Sequence, residues 1–241
     1  MNADSSRVIS CSWDRTVKQW EVSTGKLLSA ARYERADLST VAWPEDASHV
    51  YVAGEDGFVN RWTTGGNGKI EGIGFVSGVV TSLSVTPAGH RLVSGSAGGN
   101  MHLWDMQDTE RGSAMRGHDG DVGAVAITHD GCAALSGSAD KAVLLWNLDS
   151  LEITRAFYGH QDIVSSVSIS QDGLIGASGS WDGTVRFWDL GEGAALSRLE
   201  FQSQVWAVST TPDMRMMVVG EKSGLVSFFA LDRDLLAGAR Q

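Results

Sequence analysis

The sequence predicts an all-β protein assembled from repeated, four-stranded antiparallel sheets. Three observations predict it. Trp20, Trp62, Trp104, Trp146 and Trp188 stand 42 residues apart, and one further step, with a single deletion, falls on Phe229. Two stretches one period apart nearly coincide, SGSADKAVLLWNL at Ser136–Leu148 and SGSWDGTVRFWDL at Ser178–Leu190. Between turn residues the runs are short and rich in Val, Ser, Ala and Leu. Their alternation has the period of a strand and leaves no place for a helix. High glycine (29) and low proline (3) suit many tight turns. A four-stranded sheet of this size cannot bury both faces alone. Stacking successive units solves that, and closing the stack into a ring leaves only short edges.

The units run over residues 1–32 (partial), 33–74, 75–116, 117–158, 159–199 and 200–241, within one domain spanning 1–241. In the first, ISCS, TVKQW and KLLSA supply three strands. Ser5 already corresponds to the turn after the first strand of later units, so the innermost strand is missing. The second unit places Trp43 at an inward first-strand position beside Ala42. The fourth displays the full pattern: VGAVAI (Val122–Ile127), a turn at Thr128–Gly131, CAALSGS (Cys132–Ser138), a turn at Asp140-Lys141, AVLLWNL (Ala142–Leu148) and EITRAFY (Glu152–Tyr158). The fifth and sixth repeat it through the turns Gln171-Asp172-Gly173 and Thr211-Pro212-Asp213, and DLLAGARQ is expected to close the last unit as its fourth strand.

Gly117-His118 pairs with Trp146-Asn147, and Gly159-His160 with Trp188-Asp189. Together with the five evenly spaced tryptophans, these residues resemble the WD-repeat β-propeller family over nearly the whole chain. The resemblance implies a β-propeller of four-stranded antiparallel blades, five complete and one N-terminal blade lacking its innermost strand. It leaves two arrangements open: a fragment of a longer, seven-bladed propeller, which the uncapped start favours, or a six-bladed ring with an imperfect seam. It also implies hydrogen-bonded structural sets, His118, Ser136, Asp140 and Trp146 in the fourth unit and His160, Ser178, Asp182 and Trp188 in the fifth. Partial sets remain in Ser10, Asp14 and Trp20, in Asp56 and Trp62, and in Ser94 and Trp104. The physics supports such a set. A buried indole N–H needs an acceptor, a serine supplies it and turns to a histidine, and an aspartate orients that histidine. An unsatisfied member costs about 1–3 kcal/mol, so members should be lost together. The third unit has Gly98 and Val76 at the Asp and His positions, and the sixth has Ser223, Val219, Phe229 and Phe201. The second has Val52 and Glu34 at the Ser and His positions, which leaves its indole without an evident acceptor.

Catalysis is not expected. The Ser-His-Asp groupings occur twice, with the serine inside a strand rather than on a strained elbow. His118 and His160 lie in different units with no further ligand at zinc spacing. GGNGKI (Gly65–Ile70) lacks the Ser/Thr of a phosphate loop. The first strands read VAW, SLSV, AVAI, SVSI and AVST, so no ring of acidic or histidine side chains faces inward, as a propeller-fold enzyme would require. No cofactor, metal or small-molecule substrate is expected. The net charge of −10, with no Lys/Arg cluster, argues against nucleic acid and anionic membranes. Two cysteines, Cys11 and Cys132, outside any CxxC pair read as buried or half-buried residues of a reducing compartment, and a cytoplasmic location is expected.

That leaves the surface. After the repeat tryptophans and Trp43 are set aside, Trp13, Trp181 and Trp206 remain. At the offsets the resemblance assigns to the narrow face around the channel stand Trp13, Trp181 and Trp206, with Ile163, Gln204, Asp121, Glu55 and Lys222, besides Arg15 and Lys141. Exposed tryptophans are enriched at binding hot spots. The expectation is a non-catalytic scaffold that binds protein or peptide partners through this face. The alternative is the targeting or regulatory propeller of a larger protein.

Overall fold

The computed structural model describes residues 4–45, 49–65, 69–106 and 112–232. These residues form 22 strands in six antiparallel sheets and no helix. The chain divides into two compact units, Met1–Arg116 and Gly117–Gln241, each carrying three sheets.

In the first unit, sheet one holds β1 (Arg7–Cys11), β2 (Thr16–Glu21) and β3 (Leu27–Arg32). Sheet two holds β4 (Leu38–Ala42), β5 (His49–Gly54), β6 (Phe58–Thr63) and β7 (Ile70–Phe75). Sheet three holds β8 (Val80–Val85), β9 (Arg91–Ser96), β10 (Asn100–Asp105) and β11 (Ser113–Arg116). In the second unit, sheet four holds β12 (Val122–Ile127), β13 (Ala133–Ser138), β14 (Val143–Asn147) and β15 (Glu152–Phe157). Sheet five holds β16 (Val164–Ile169), β17 (Ile175–Ser180), β18 (Thr184–Asp189) and β19 (Ala195–Glu200). Sheet six holds β20 (Val205–Thr210), β21 (Met216–Glu221) and β22 (Val226–Ala230). Every sheet is a meander of neighbours in sequence order. Among the described residues sheet one has three strands and none precedes β1, in line with the expected partial first unit. DLLAGARQ, expected as a further strand of sheet six, lies outside the described residues, as do Gly66–Gly68 of the GGNGKI stretch.

The apolar cores lie between consecutive sheets. Val17, Leu38, Val50, Val52 and Trp62 cluster between sheets one and two, and Ala53, Val59, Val80, Leu83 and Trp104 between two and three. In the second unit Leu135, Val143 and Leu145 pack against Val164, Val167 and Trp188, and Ala177, Val185 and Phe187 against Val205, Val208 and Met217. Each repeat tryptophan from Trp62 to Trp188 is at most 2% exposed. Burying a side chain of that size stabilises by about 4–6 kcal/mol on area alone.

One irregularity recurs. The first strand of sheets two to six carries a bulge at the same place, which leaves Ser39, Thr81, Gly123, Ser165 and Trp206 out of the ladder. A bulge re-aims the residue it excludes. The structure corrects one expectation about the cysteines. Cys11 is half-buried, but Cys132 is exposed, because it closes the turn before β13 and bonds through its N–H to Asp130 Oδ1 at 2.9 Å.

Candidate functional site

The polar sets come first, because they fix the turns that carry the surface. In sheet four, Trp146 Nε1 donates to Ser136 Oγ at 2.8 Å, Ser136 Oγ meets His118 Nε2 at 2.7 Å, and His118 Nδ1 meets Asp140 Oδ2 at 2.8 Å. Sheet five repeats this with Trp188–Ser178 at 2.8 Å, Ser178–His160 at 2.7 Å and His160–Asp182 at 2.9 Å. A carboxylate only accepts, so Nδ1 carries the proton and Nε2 accepts from the serine hydroxyl. Burial holds both imidazoles below their ordinary pKa and outweighs the pull of the aspartates, so both are neutral. Burial also raises Asp182, but the bonds from Thr184, the Gln161 N–H and His160 prevail and hold it at about 2. Asp182 binds the Gln161 N–H through one oxygen and the Thr184 N–H through the other, both at 2.9 Å. It thereby ties the segment entering one strand to the turn between two others.

Elsewhere the sets thin out. Trp20 and Trp104 donate to Ser10 and Ser94 at 3.0 Å, with no histidine behind the serine. Asp14 instead caps its own turn by accepting from Thr16. Trp62 faces Val52, and its indole nitrogen has no hydrogen-bond partner. The histidine position of sheet two is not taken by Glu34, which lies near Arg32 at 3.9 Å. Tyr33, one residue earlier, reaches Asp56 Oδ2 with its hydroxyl at 2.7 Å. Burial, then the Asp56 bond and charge, push the Tyr33 phenol up to about 12. In sheet six, Phe201 and Phe229 meet edge to face with centroids 5.7 Å apart where the His and Trp stand elsewhere. Trp43 is half-buried, and its indole nitrogen also has no partner.

These groupings cannot act as serine nucleophiles. Ser136 and Ser178 are 0% exposed, and each Oγ already accepts an indole N–H. Among the described residues no three His, Cys, Asp or Glu side chains gather as a metal site. No helix among them is long and apolar enough to cross a membrane.

A backbone bond sets the surface. The N–H of the residue before each turn position donates to the carbonyl of the residue immediately before the first strand. The pairs are Glu55 to Asp37 (3.1 Å), Ala97 to Val79 (2.9 Å), Ala139 to Asp121 (2.8 Å), Trp181 to Ile163 (2.9 Å) and Lys222 to Gln204 (2.9 Å). This is why those sequence offsets meet in space. In the second unit the bond brings predicted residues together. Trp181, Phe201, Gln202, Ser203, Gln204 and Lys222 line a cleft of ≈ 420 Å³. Trp206, turned out by its bulge, sets its indole nitrogen 3.5 Å from Gln204 Oε1, at the long limit of a hydrogen bond. Trp181 and Trp206 are 38% and 52% exposed. Ile163 accepts the Trp181 N–H through its carbonyl, while Asp121 and Lys141 belong to the turns of sheet four, Lys141 with φ +73°.

In the first unit Trp13 is 76% exposed, and Arg15 bonds Asp37 Oδ1 at 3.0 Å. Asp37, whose carbonyl holds Glu55, is the residue sequence reasoning missed. It stands two periods before Asp121 and three before Ile163, and that offset would have found it. A larger cleft of ≈ 540 Å³ lies in the same unit beside Arg61, Ile70, Glu71, Ile73, Trp104 and Met106. The charges of its lining balance, Arg61 and Lys69, both paired with Glu71, against Glu71 and Asp105.

The chain matches the family described as WD domain, G-beta repeat, over residues 1–21, 73–105, 110–147 and 151–189, together more than half its length. It belongs to the WD-repeat family. It is also similar to WD repeat-containing protein 18 of Homo sapiens, 34% identical over 127 residues. That match covers 46% of this chain and 29% of the human protein, so the chain spans less than a third of that relative.

Proposed function

We propose that this WD-repeat chain is a non-catalytic scaffold that binds a protein or peptide partner through the surface around Trp181, Gln204, Lys222 and Trp206. The observation that carries the reading is one half-exposed indole, Trp181, lining a cleft, with a second, Trp206, set against the cleft-lining Gln204. Rigid aromatic rings around a concave site supply contact area at low entropic cost, the usual make-up of a hot spot. Lys222, among the amides of Gln202 and Gln204, gives the cleft a polar rim. Ile163 and Asp121 extend this surface on the second unit, and Trp13 and Glu55 offer equivalent positions on the first. The exposed cysteine Cys132 suits a reducing compartment and supports a cytoplasmic setting.

The test is the double variant Trp181→Ala with Trp206→Ala, compared with the unaltered chain by affinity capture and mass spectrometry. Both indoles sit on the surface, so Tm should stay within about 4 °C. Partners bound by the unaltered chain should be lost. Retention of all of them by a folded variant refutes the reading.

A further inference from the structure

Sheet five carries a pair of side chains that the other sheets do not repeat. Arg186 of β18 and Arg198 of β19 stand directly opposite each other in the ladder. Residues paired this way project from one face, and like charges there destabilise a sheet. At the same place the other outer strands set a small residue: Ala30 opposite Lys18, Gly72 opposite Asn60, Ala114 opposite His102 and Ala156 opposite Leu144. The repeat therefore folds without an arginine pair, and its presence in sheet five asks for another reason.

The two guanidiniums share a cleft of ≈ 280 Å³ with Gln161, Asp182, Thr184 and Glu200, all within the second unit. The acids of this cleft are engaged elsewhere. Glu200 pairs with Arg198. Asp182 holds the Gln161 N–H and His160 through one oxygen, and the Thr184 N–H and hydroxyl through the other. Arg186 is left over. Its Nε is buried without a hydrogen-bond partner, and among the described residues it makes no ion pair. A buried donor of a charged group left unsatisfied is costly in a fold. The guanidinium is also held in place. A Cβ on Gly159 would stand 2.7 Å from Arg186 Nη1 and 3.1 Å from its Cζ, so the fork lies against backbone that only a glycine leaves open. A donor fork fixed in advance binds at lower entropic cost.

A guanidinium matches a carboxylate, two N–H donors facing two oxygens. A phosphate dianion suits this cleft less, because Asp182 and Glu200 line it too and one guanidinium is already paired. The cleft shares Asp182, Gly183 and Phe201 with the one that Trp181 lines, so the two are continuous. We propose that Arg186 seats the carboxylate of an aspartate or glutamate side chain on a peptide laid along the two joined clefts. This rests on the partner-binding reading of the Trp181 cleft and adds the partner's chemistry, an acidic side chain beside the segment that meets Trp181.

The test follows the arginine Nε–H signals of the full chain by NMR, with the Arg186 signal assigned by its loss in Arg186→Lys. The probes are N-acetylglutamate N-methylamide, its glutamine counterpart and N-acetylphosphoserine N-methylamide, at matched ionic strength. The glutamate probe should move the Arg186 signal saturably, and the glutamine probe should leave it in place. No saturable shift with glutamate, or an equal shift with sodium chloride, overturns the proposal, and tighter binding of the phosphoserine probe overturns it in favour of a phosphate site. Affinity capture separates this proposal from the reading it rests on. Arg186→Gln, shown to be folded by circular dichroism, should capture at least tenfold less partner than the unaltered chain. Full retention by Arg186→Gln, with loss in the Trp181→Ala, Trp206→Ala variant, removes the carboxylate seat and leaves the Trp181 reading. Full retention by the double indole variant, with the glutamate shift intact and partners lost in Arg186→Gln, removes the Trp181 reading and leaves the carboxylate seat.

Discussion

Removing the serine hydroxyl should cost twice as much in sheet five as in sheet three. Ser178 Oγ satisfies two buried groups, Trp188 Nε1 at 2.8 Å and His160 Nε2 at 2.7 Å, whereas Ser94 Oγ satisfies Trp104 Nε1 at 3.0 Å with no histidine behind it. Both serines are fully buried, so water cannot replace the lost partner. Each stranded group costs about 1–3 kcal/mol, which gives about 4 kcal/mol for Ser178→Ala and about 2 kcal/mol for Ser94→Ala. For a chain of this length those losses lower Tm by about 8–16 °C and about 4–8 °C. Urea unfolding followed by far-UV circular dichroism measures both. Adding Trp188→Phe to Ser178→Ala removes one of the two stranded groups, so the double variant should lose less than the sum of the singles. Equal losses for the two serine variants, or strict additivity in the cycle, would refute the view that the set acts as a unit. Sheet two already lives with one stranded group, since Trp62 faces Val52.

Acid should weaken the fold in two steps. His118 and His160 are held below 6.5, so the unfolded chain takes up protons there that the native one refuses; their contribution is complete above about pH 6.5 and fades below it. Asp182, held at about 2, contributes fully above 3.8 and is lost between there and about 2. A Tm that stays flat from pH 7 to 5 contradicts the first step. The Tyr33 phenol, raised to about 12, should give a component of the 295 nm titration near that pH, and that component should disappear in Tyr33→Phe. That variant should lose about 1 kcal/mol with the Asp56 bond. Tyr33 is neutral in the fold, so its contribution is present below pH 10 and is lost as the pH rises through about 12.

Much of the architecture could be read because its causes are local. A strand needs period-2 alternation and a hairpin needs its turn residues, and both recur in the sequence every 42 residues. The fourth unit's first strand, Val122–Ile127, falls where the sequence places it, and its other strands lie within one residue at each end. The polar sets were legible wherever all four members survived. They were not legible in sheet two, where Tyr33 replaces the histidine from the neighbouring position. A phenol reaches farther than an imidazole, and spacing alone does not register that. Cys132 was misjudged because a turn, not a strand, sets its exposure.

By itself the sequence determined the repeat, the strand and turn order and the tryptophans left over for a surface. Only the tertiary structure decided that a bulge turns Trp206 outward and that a backbone bond sets Lys222 beside Gln204, in the cleft that Trp181 also lines. It also decided that Phe187 is covered by the sheet that follows it. The reason is distance along the chain. Alternation and turn chemistry act over a few residues, whereas burial of a sheet face depends on what the next 42 residues lay upon it.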